Sequence, residues 1–229
     1  MNNFEIFWTR FTSAGHFQNF LTGLLNTLEI AVFGFLIGLV LGCLLSTAQL
    51  IPSKNPFVTV LKRIIDAYVA VFRGTPMVVQ LLLFHFAIFA AVKIPGVIEA
   101  SVIFGLNSAA YMTEIIRGGI NSVDKGQMEA GRAVGLSFST TMVRIVIPQA
   151  IKNVVPTLGN ELISLLKETS IVSMIALLDL TKAFKNIAES TYEYFVPYIA
   201  LAIVYLVMVV ILTVIIKLVE RRLRRSDKR

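Results

Sequence analysis

Apolar residues come in long blocks along this chain, separated by short polar stretches. The first block runs from about Leu21 to Leu45 and carries Gly34, Gly38 and Gly42 at four-residue spacing, followed by Ser46. Small residues at that interval line one helix face and let a second helix approach closely. Glu29 sits near the start of the block. Residues 51–56, Ile-Pro-Ser-Lys-Asn-Pro, form a turn. The stretch from Phe57 to Ala91 is too long for one simple crossing and holds Lys62, Arg63, Asp66 and Arg73. Gly74-Thr75-Pro76 interrupts it: Pro76 lacks a backbone donor and turns Thr75 away from helical geometry. The pattern predicts a partly amphipathic helix, a break, and a membrane helix from Pro76 to about Ala91. Lys93-Ile-Pro-Gly makes a short turn. Further blocks cover about Val97 to Ile116, Ile145 to Leu180 and Pro197 to Val219; the second of these contains Pro148, Pro156 and Gly159 and is again too long for a straight span. A small, basic, helix-prone elbow from Asn121 to Thr141 separates the third and fourth blocks. Residues 1–19 read as an amphipathic segment whose Phe4, Phe7, Trp8, Phe11 and Phe17 suit a membrane interface. Residues 181–196 read as a helix or loop on the outer side.

Composition agrees. Of 229 residues, 56% are hydrophobic, and the mean hydropathy is +0.77. A hydrocarbon core of ~30 Å takes roughly 20 apolar residues as helix, and such spans must be helical because lipid offers backbone groups no partners. The expected fold is all-α: a polytopic membrane helix bundle of about five transmembrane helices with a polar helical loop between the third and fourth blocks. Its expected parts are an interfacial segment over 1–19, a transmembrane domain over 20–220 with the loop at 121–144, and a basic tail over 221–229.

The net charge of +7 does not point to nucleic acid. Six of the 21 basic residues, Arg221, Arg222, Arg224, Arg225, Lys228 and Arg229, follow the last apolar block, the pattern of a cytoplasmic stop. Arg117, Lys125, Arg132 and Arg144 place the elbow on that side too. Five spans then put the amino terminus outside and the carboxyl terminus in the cytoplasm. The sole cysteine, Cys43, allows no intrachain disulfide. The absence of a Gly-x-x-x-x-Gly-Lys phosphate loop predicts that this chain does not bind ATP. His16 and His85 are far apart in sequence and predict no metal site; His85 reads as packed or pore-facing. The first long apolar block exceeds the length of a signal-peptide core, so no removable leader is expected.

Three intramembrane clusters carry candidate chemistry. In Arg73-Gly74-Thr75-Pro76 with Gln80, a guanidinium stands beside the free amides of a helix break, and both present donors to a carboxylate. Arg73 could instead reach the headgroups or pair with a nearby acid. The second cluster runs from Gly159 to Ser170. Charges inside an apolar region cost about 2.5–3.5 kcal/mol each on insertion scales, so Glu161, Lys167 and Glu168 need an interior or a water-filled path. Asn160 and Ser164 accompany Glu161, which suits an ammonium group; Lys167 and Glu168 equally suit an internal charge network. The third is Asn107, Tyr111 and Glu114, which share one helical face and form either a lining of a pathway or an interhelical seam.

The elbow reads Glu129-Ala130-Gly131, three residues, Gly135, nine residues, Ile145, one residue, Ile147-Pro148. This resembles the coupling loop of ABC importer permeases, with Gly131 in place of a second Ala and Ile147 in place of Leu. Arg73-Gly74-Thr75-Pro76 with Gln80, and Asn160-Glu161 followed by Leu-Ile-Ser-Leu-Leu-Lys-Glu-Thr-Ser, resemble signature segments of the polar amino acid uptake permeases. The resemblance extends over roughly residues 20–220. It implies a prokaryotic plasma-membrane transport subunit paired with a second permease, same or related. It also implies two cytoplasmic ATP-binding cassette subunits that hold ATP and Mg, and an external solute-binding protein. Substrate would lie among Arg73, Gly74, Thr75, Gln80, Asn107, Tyr111, Asn160, Glu161 and Ser164. Glu129, Ala130, Gly131, Gly135 and Pro148 would meet the ATPase, with Glu129 either pairing there or capping its own helix. The competing expectation is a carrier driven by an ion gradient, with Glu161 and Glu168 as ion ligands, although no internal repeat is evident.

Overall fold

Asn2 opens the first helix, α1 (Asn3–Phe11), through a reciprocal cap with Glu5. The computed structural model describes residues 2–52 and 55–225; Lys228 and Arg229 of the basic tail lie outside the described residues. The aromatic face expected at the interface is divided. Phe7 is buried against Leu180, Phe184, Ile187 and Leu201, and Phe11 packs beside it, whereas Phe4 and Trp8 remain exposed and stack on each other at 6.4 Å. Residues four apart share a helix face, so the Phe7–Phe11 pair turns inward and the Phe4–Trp8 pair outward.

Helix α2 (Ala14–Leu50) continues well beyond the apolar block at both ends. Its glycine stripe packs on α5 (Gly96–Asn121). A Cβ on Gly34 would stand 3.1 Å from the Phe104 Cβ, one on Gly38 2.8 Å from the Ser108 Cβ, and one on Gly42 2.6 Å from the Met112 Cβ. The three contacts advance together along both helices, so α2 and α5 run in the same direction.

Between them the chain forms α3 (Pro56–Gly74) and α4 (Met77–Leu83), bent by 106° at the break. Helix α4 widens into a π-turn over Phe84–Ile88 and closes as a 3-10 turn over Phe89–Ala91. After α5 the elbow forms α6 (Lys125–Ala133) and α7 (Phe138–Thr141). A second π-turn over Met142–Val146 leads into α8 (Ile147–Glu168). Helix α8 passes through Pro156, and the long fourth block divides at its end, where the chain tightens into a 3-10 helix over Thr169–Ile175. Then come α9 (Leu180–Thr191) and α10 (Phe195–Arg225).

Buried Asp179 caps α9, accepting from the Lys182 amide at 2.8 Å and the Thr181 amide at 3.1 Å. Losing such a cap costs about 1 kcal/mol. Asp179→Ala is therefore expected to lower the thermal unfolding midpoint in detergent, and an unchanged midpoint would remove the cap from this account.

Gly15–Leu50 of α2 and Phe195–Leu223 of α10 are long and apolar enough to cross a membrane, and the bent α3–α4 pair makes a third crossing if taken as one span. Helices α5 and α8 reach about 39 and 33 Å at 1.5 Å per residue. Their polar residues turn toward the bundle: Ser101, Asn107, Ser108 and Thr113 of α5 are buried. Ser108 meets Glu161 and Gly119 meets Val154, so α8 runs opposite to α5. The core around Ile30, Leu81, Ile103, Phe104, Leu165 and Val172 joins α2, α4, α5, α8 and the 3-10 segment. Helix α10 starts beside α9 and α1, at the end away from the elbow.

Candidate functional site

The break between α3 and α4 strands backbone carbonyls that no helical amide can reach. Gln80 supplies the missing donors. Its Nε2 lies 2.9 Å from the Phe72 carbonyl, 2.7 Å from Thr75 Oγ1 and 3.2 Å from the Thr75 carbonyl. Asn107 Nδ2 donates to Gln80 Oε1 at 2.8 Å and reaches the Phe72 carbonyl at 3.4 Å. Gln80 and Asn107 are both buried. The Gln80 amide and the Asn107 Nδ2 are engaged in holding the break at this angle.

Arg73, at the last turn of α3, stands on the α5 face formed by Tyr111 and Glu114. Its guanidinium lies 5.5 Å from the Tyr111 ring centre, a cation–π distance, and 3.5 Å from the Glu114 carboxylate. Glu114 is held more closely by Arg117, at 2.7 and 2.8 Å to its two oxygens. Two guanidiniums thus share one carboxylate, which leaves one positive charge uncompensated in the trio. The expected Asn107–Tyr111–Glu114 face is real, and it divides: Asn107 serves the break while Tyr111 and Glu114 face Arg73. A Cβ on Gly74 would meet open space, and Thr75 is exposed, its hydroxyl donating to the Val71 carbonyl at 2.8 Å.

Glu161 on α8 is half-buried, and it accepts from the Ser108 hydroxyl at 2.9 Å. No cation reaches it among the described contacts. Ser108 is about midway along α5, so Glu161 lies at the middle of the bundle's depth. Ser108 and Tyr111 are three apart and therefore neighbours on the α5 surface, with Cβ atoms about 5–6 Å apart. The Glu161 pair and the Arg73 trio are thus anchored at neighbouring positions of α5. Ser164 is half-buried and Asn160 exposed on the same helix. Lys167 and Glu168 are exposed rather than part of an internal network. With Ser164, Ser170 and Ile171 they line a shallow pocket of about 310 Å³.

Sequence reasoning missed Ser108 and Arg117 as partners. Arg117 was legible in principle, three residues after Glu114 and so on its face. It also missed the pairing of half-buried His85 with buried Glu99 at 2.7 Å, which ties the π-turn after α4 to the first turn of α5.

In the elbow, Gly135 adopts φ +86, a left-handed conformation that only glycine takes without strain. Glu129, Ala130 and Gly135 are exposed, as is Pro148 in the first turn of α8. Val134 beside the bend is 76% exposed. Gly131 is different. It is buried, and a Cβ there would collide with Thr141, so its small size serves the fit of α6 on α7. The cap of α6 is Asp124, accepting from the Gly126 amide at 2.7 Å; Glu129 does not cap its own helix.

A helical membrane bundle with a broken span, opposed charges at mid-depth and an exposed polar elbow is the build of a transport subunit. Residues 34–225 match the family model described as binding-protein-dependent transport system inner membrane component, and the chain belongs to that family. It is 44% identical over 209 residues to an arginine transport system permease protein of Bacillus subtilis (strain 168), covering 90% of this chain and 93% of the relative. It is 40% identical over 203 residues to a putative glutamine transport system permease protein of Rickettsia bellii (strain RML369-C), covering 88% and 91%. Among solved structures, an amino acid ABC transporter described with histidines aligns at a TM-score of 0.81 and 39% identity, over 91% of this chain and 95% of that one. The expectation of a carrier driven by an ion gradient finds no support in these likenesses.

Proposed function

We propose that the chain is the membrane subunit of an ATP-driven importer that takes up amino acids as zwitterions, binding them between Arg73 and Glu161. One observation carries the site: an unshared positive charge on the Arg73–Glu114–Arg117 trio and a carboxylate with only a hydroxyl partner attach to neighbouring positions of α5, Tyr111 with Glu114 and Ser108. A zwitterion presented to both offsets the desolvation that each charge suffers alone. Arg73, with the open backbone at Gly74 and Thr75, takes the α-carboxylate. Glu161, with Ser164 and Asn160, takes the α-amino group or a basic side chain. Gln80 and Asn107 keep the break in shape, and Tyr111 seats the guanidinium. Discontinuous helices at mid-depth are a recurrent way to build such sites. The arginine and glutamine permeases among the relatives support the substrate class.

The elbow, with Glu129, Ala130 and Gly135 exposed, fits the surface of an ATP-binding cassette subunit, which holds ATP and Mg; this chain holds neither. Two such subunits, a second permease chain and an external solute-binding protein complete the transporter in a prokaryotic plasma membrane. Arg221 and Arg222 stand at the end of α10, on the elbow side, which favours a cytoplasmic carboxyl terminus and an external amino terminus. The test is uptake of labelled arginine, glutamine, histidine and cystine into vesicles holding the assembled transporter. ATP-dependent uptake of at least one, unaffected by ionophores, is expected. Uptake abolished by an ionophore with ATP present would overturn the reading.

A further inference from the structure

Glu114 occupies the place a substrate carboxylate needs. It lies 3.5 Å from Arg73 on one side and 2.7 Å from Arg117 on the other. The contact with Arg117 is the shorter, and it joins residues three apart on one helix, so it persists whatever α3 does. The contact with Arg73 is the longer and bridges two helices. The two guanidiniums are about equally exposed, at 44% and 43%, so it is the longer contact, and the open space at Gly74 next to Arg73 in the chain, that single out Arg73. We infer that Glu114 is a placeholder for the substrate's carboxylate, neutralising Arg73 while the site is empty and withdrawing onto Arg117 when an amino acid arrives. This rests on the zwitterion reading of the site and adds its regulation.

The arrangement solves a definite problem. A guanidinium at membrane mid-depth without a counter-ion is costly, yet one permanently and tightly paired cannot bind ligand. A long contact to a carboxylate that owns a second anchor gives Arg73 a partner that yields. Glu114 therefore competes with substrate, and removing its charge tightens binding, opposite to the effect expected of a residue that orients Arg73.

The experiment measures equilibrium binding to the permease–ATPase complex in nanodiscs, with no binding protein present. The probes are L-arginine and L-glutamine, each beside its decarboxylated amine, agmatine or 4-aminobutanamide. Glu114→Gln is expected to tighten the amino acid about two- to fivefold, the range of a part-exposed ion pair, and to leave the amine unchanged. Glu114→Asp, which withdraws the carboxylate from Arg73 but keeps the charge near Arg117, should shift the amino acid the same way. In an Arg73→Gln background the Glu114→Gln effect should vanish. Unchanged or weaker amino acid binding in Glu114→Gln, or equal tightening of the amine, would overturn the placeholder while leaving the pocket standing. Arg73→Gln without effect on any probe would instead overturn the pocket itself.

Discussion

Glu161→Gln is expected to weaken amino acid binding to the assembled transporter by about 30-fold or more, with uptake falling accordingly. The glutamine keeps the shape of the side chain and can still accept from Ser108, whose hydroxyl lies 2.9 Å from the carboxylate. Folding and assembly should therefore be spared, and only the charge is lost. Truncating one partner of a desolvated charge pair costs about 2–5 kcal/mol, and each 1.4 kcal/mol is about tenfold in affinity. In the proposed pocket the substrate's ammonium takes the place of a partner for Glu161, which no cation of this chain reaches among the described contacts. Arg73→Ala should weaken binding through the other end of the ligand. Binding isotherms on purified complexes check both, and wild-type affinity in both variants would make a charged pocket untenable.

The second large effect lies outside the bilayer. Gly135 turns the chain between α6 and α7 at φ +86, and a β-branched residue there is strained whatever space surrounds it. Gly135→Val is expected to displace the exposed tip carrying Val134 and Ala130 from the surface of the proposed ATPase partner. Substrate-stimulated ATP hydrolysis and uptake should both fall at least tenfold, while the permease still inserts and still binds amino acid. Transport-coupled hydrolysis at the wild-type rate would defeat the coupling assignment. Gly131 offers a contrast. It is buried on Thr141, so Gly131→Val should damage the elbow's own fold and lower the yield of assembled complex.

Much of this architecture was legible in the sequence because membrane spans are written in long apolar blocks. The glycine stripe of α2 announced a close helix neighbour, and Gly74-Thr75-Pro76 announced a break, since backbone chemistry alone dictates both. The sequence could not say which polar side chains the break would consume. Gln80 and Asn107 read as ligand-binding groups, yet the orphaned carbonyl of Phe72 claims their donors. Arg73 was poised between binding an anion and pairing with an acid. The structure brings Glu114 to it across two helices, a contact that no local spacing encodes. Lys167 and Glu168 looked like a buried network because they sit in an apolar stretch. They lie on the outer face at the end of α8, where Leu165, Leu166 and Thr169 take the buried one. The amino-terminal aromatics suit one interfacial face, yet the helical repeat turns Phe7 and Phe11 inward and leaves Phe4 and Trp8 exposed.

The account turns on an amino acid held lengthwise between two opposite charges halfway through the bundle. A cryo-electron microscopy structure of the assembled transporter with bound amino acid tests this most directly. The carboxylate should lie about 3 Å from the Arg73 guanidinium, with an ammonium or basic side chain facing Glu161 and Glu114 drawn onto Arg117. An amino acid bound elsewhere, for example in the apolar cleft lined by Leu39, Ile116 and Val154, with Arg73 and Glu161 both untouched, would contradict it.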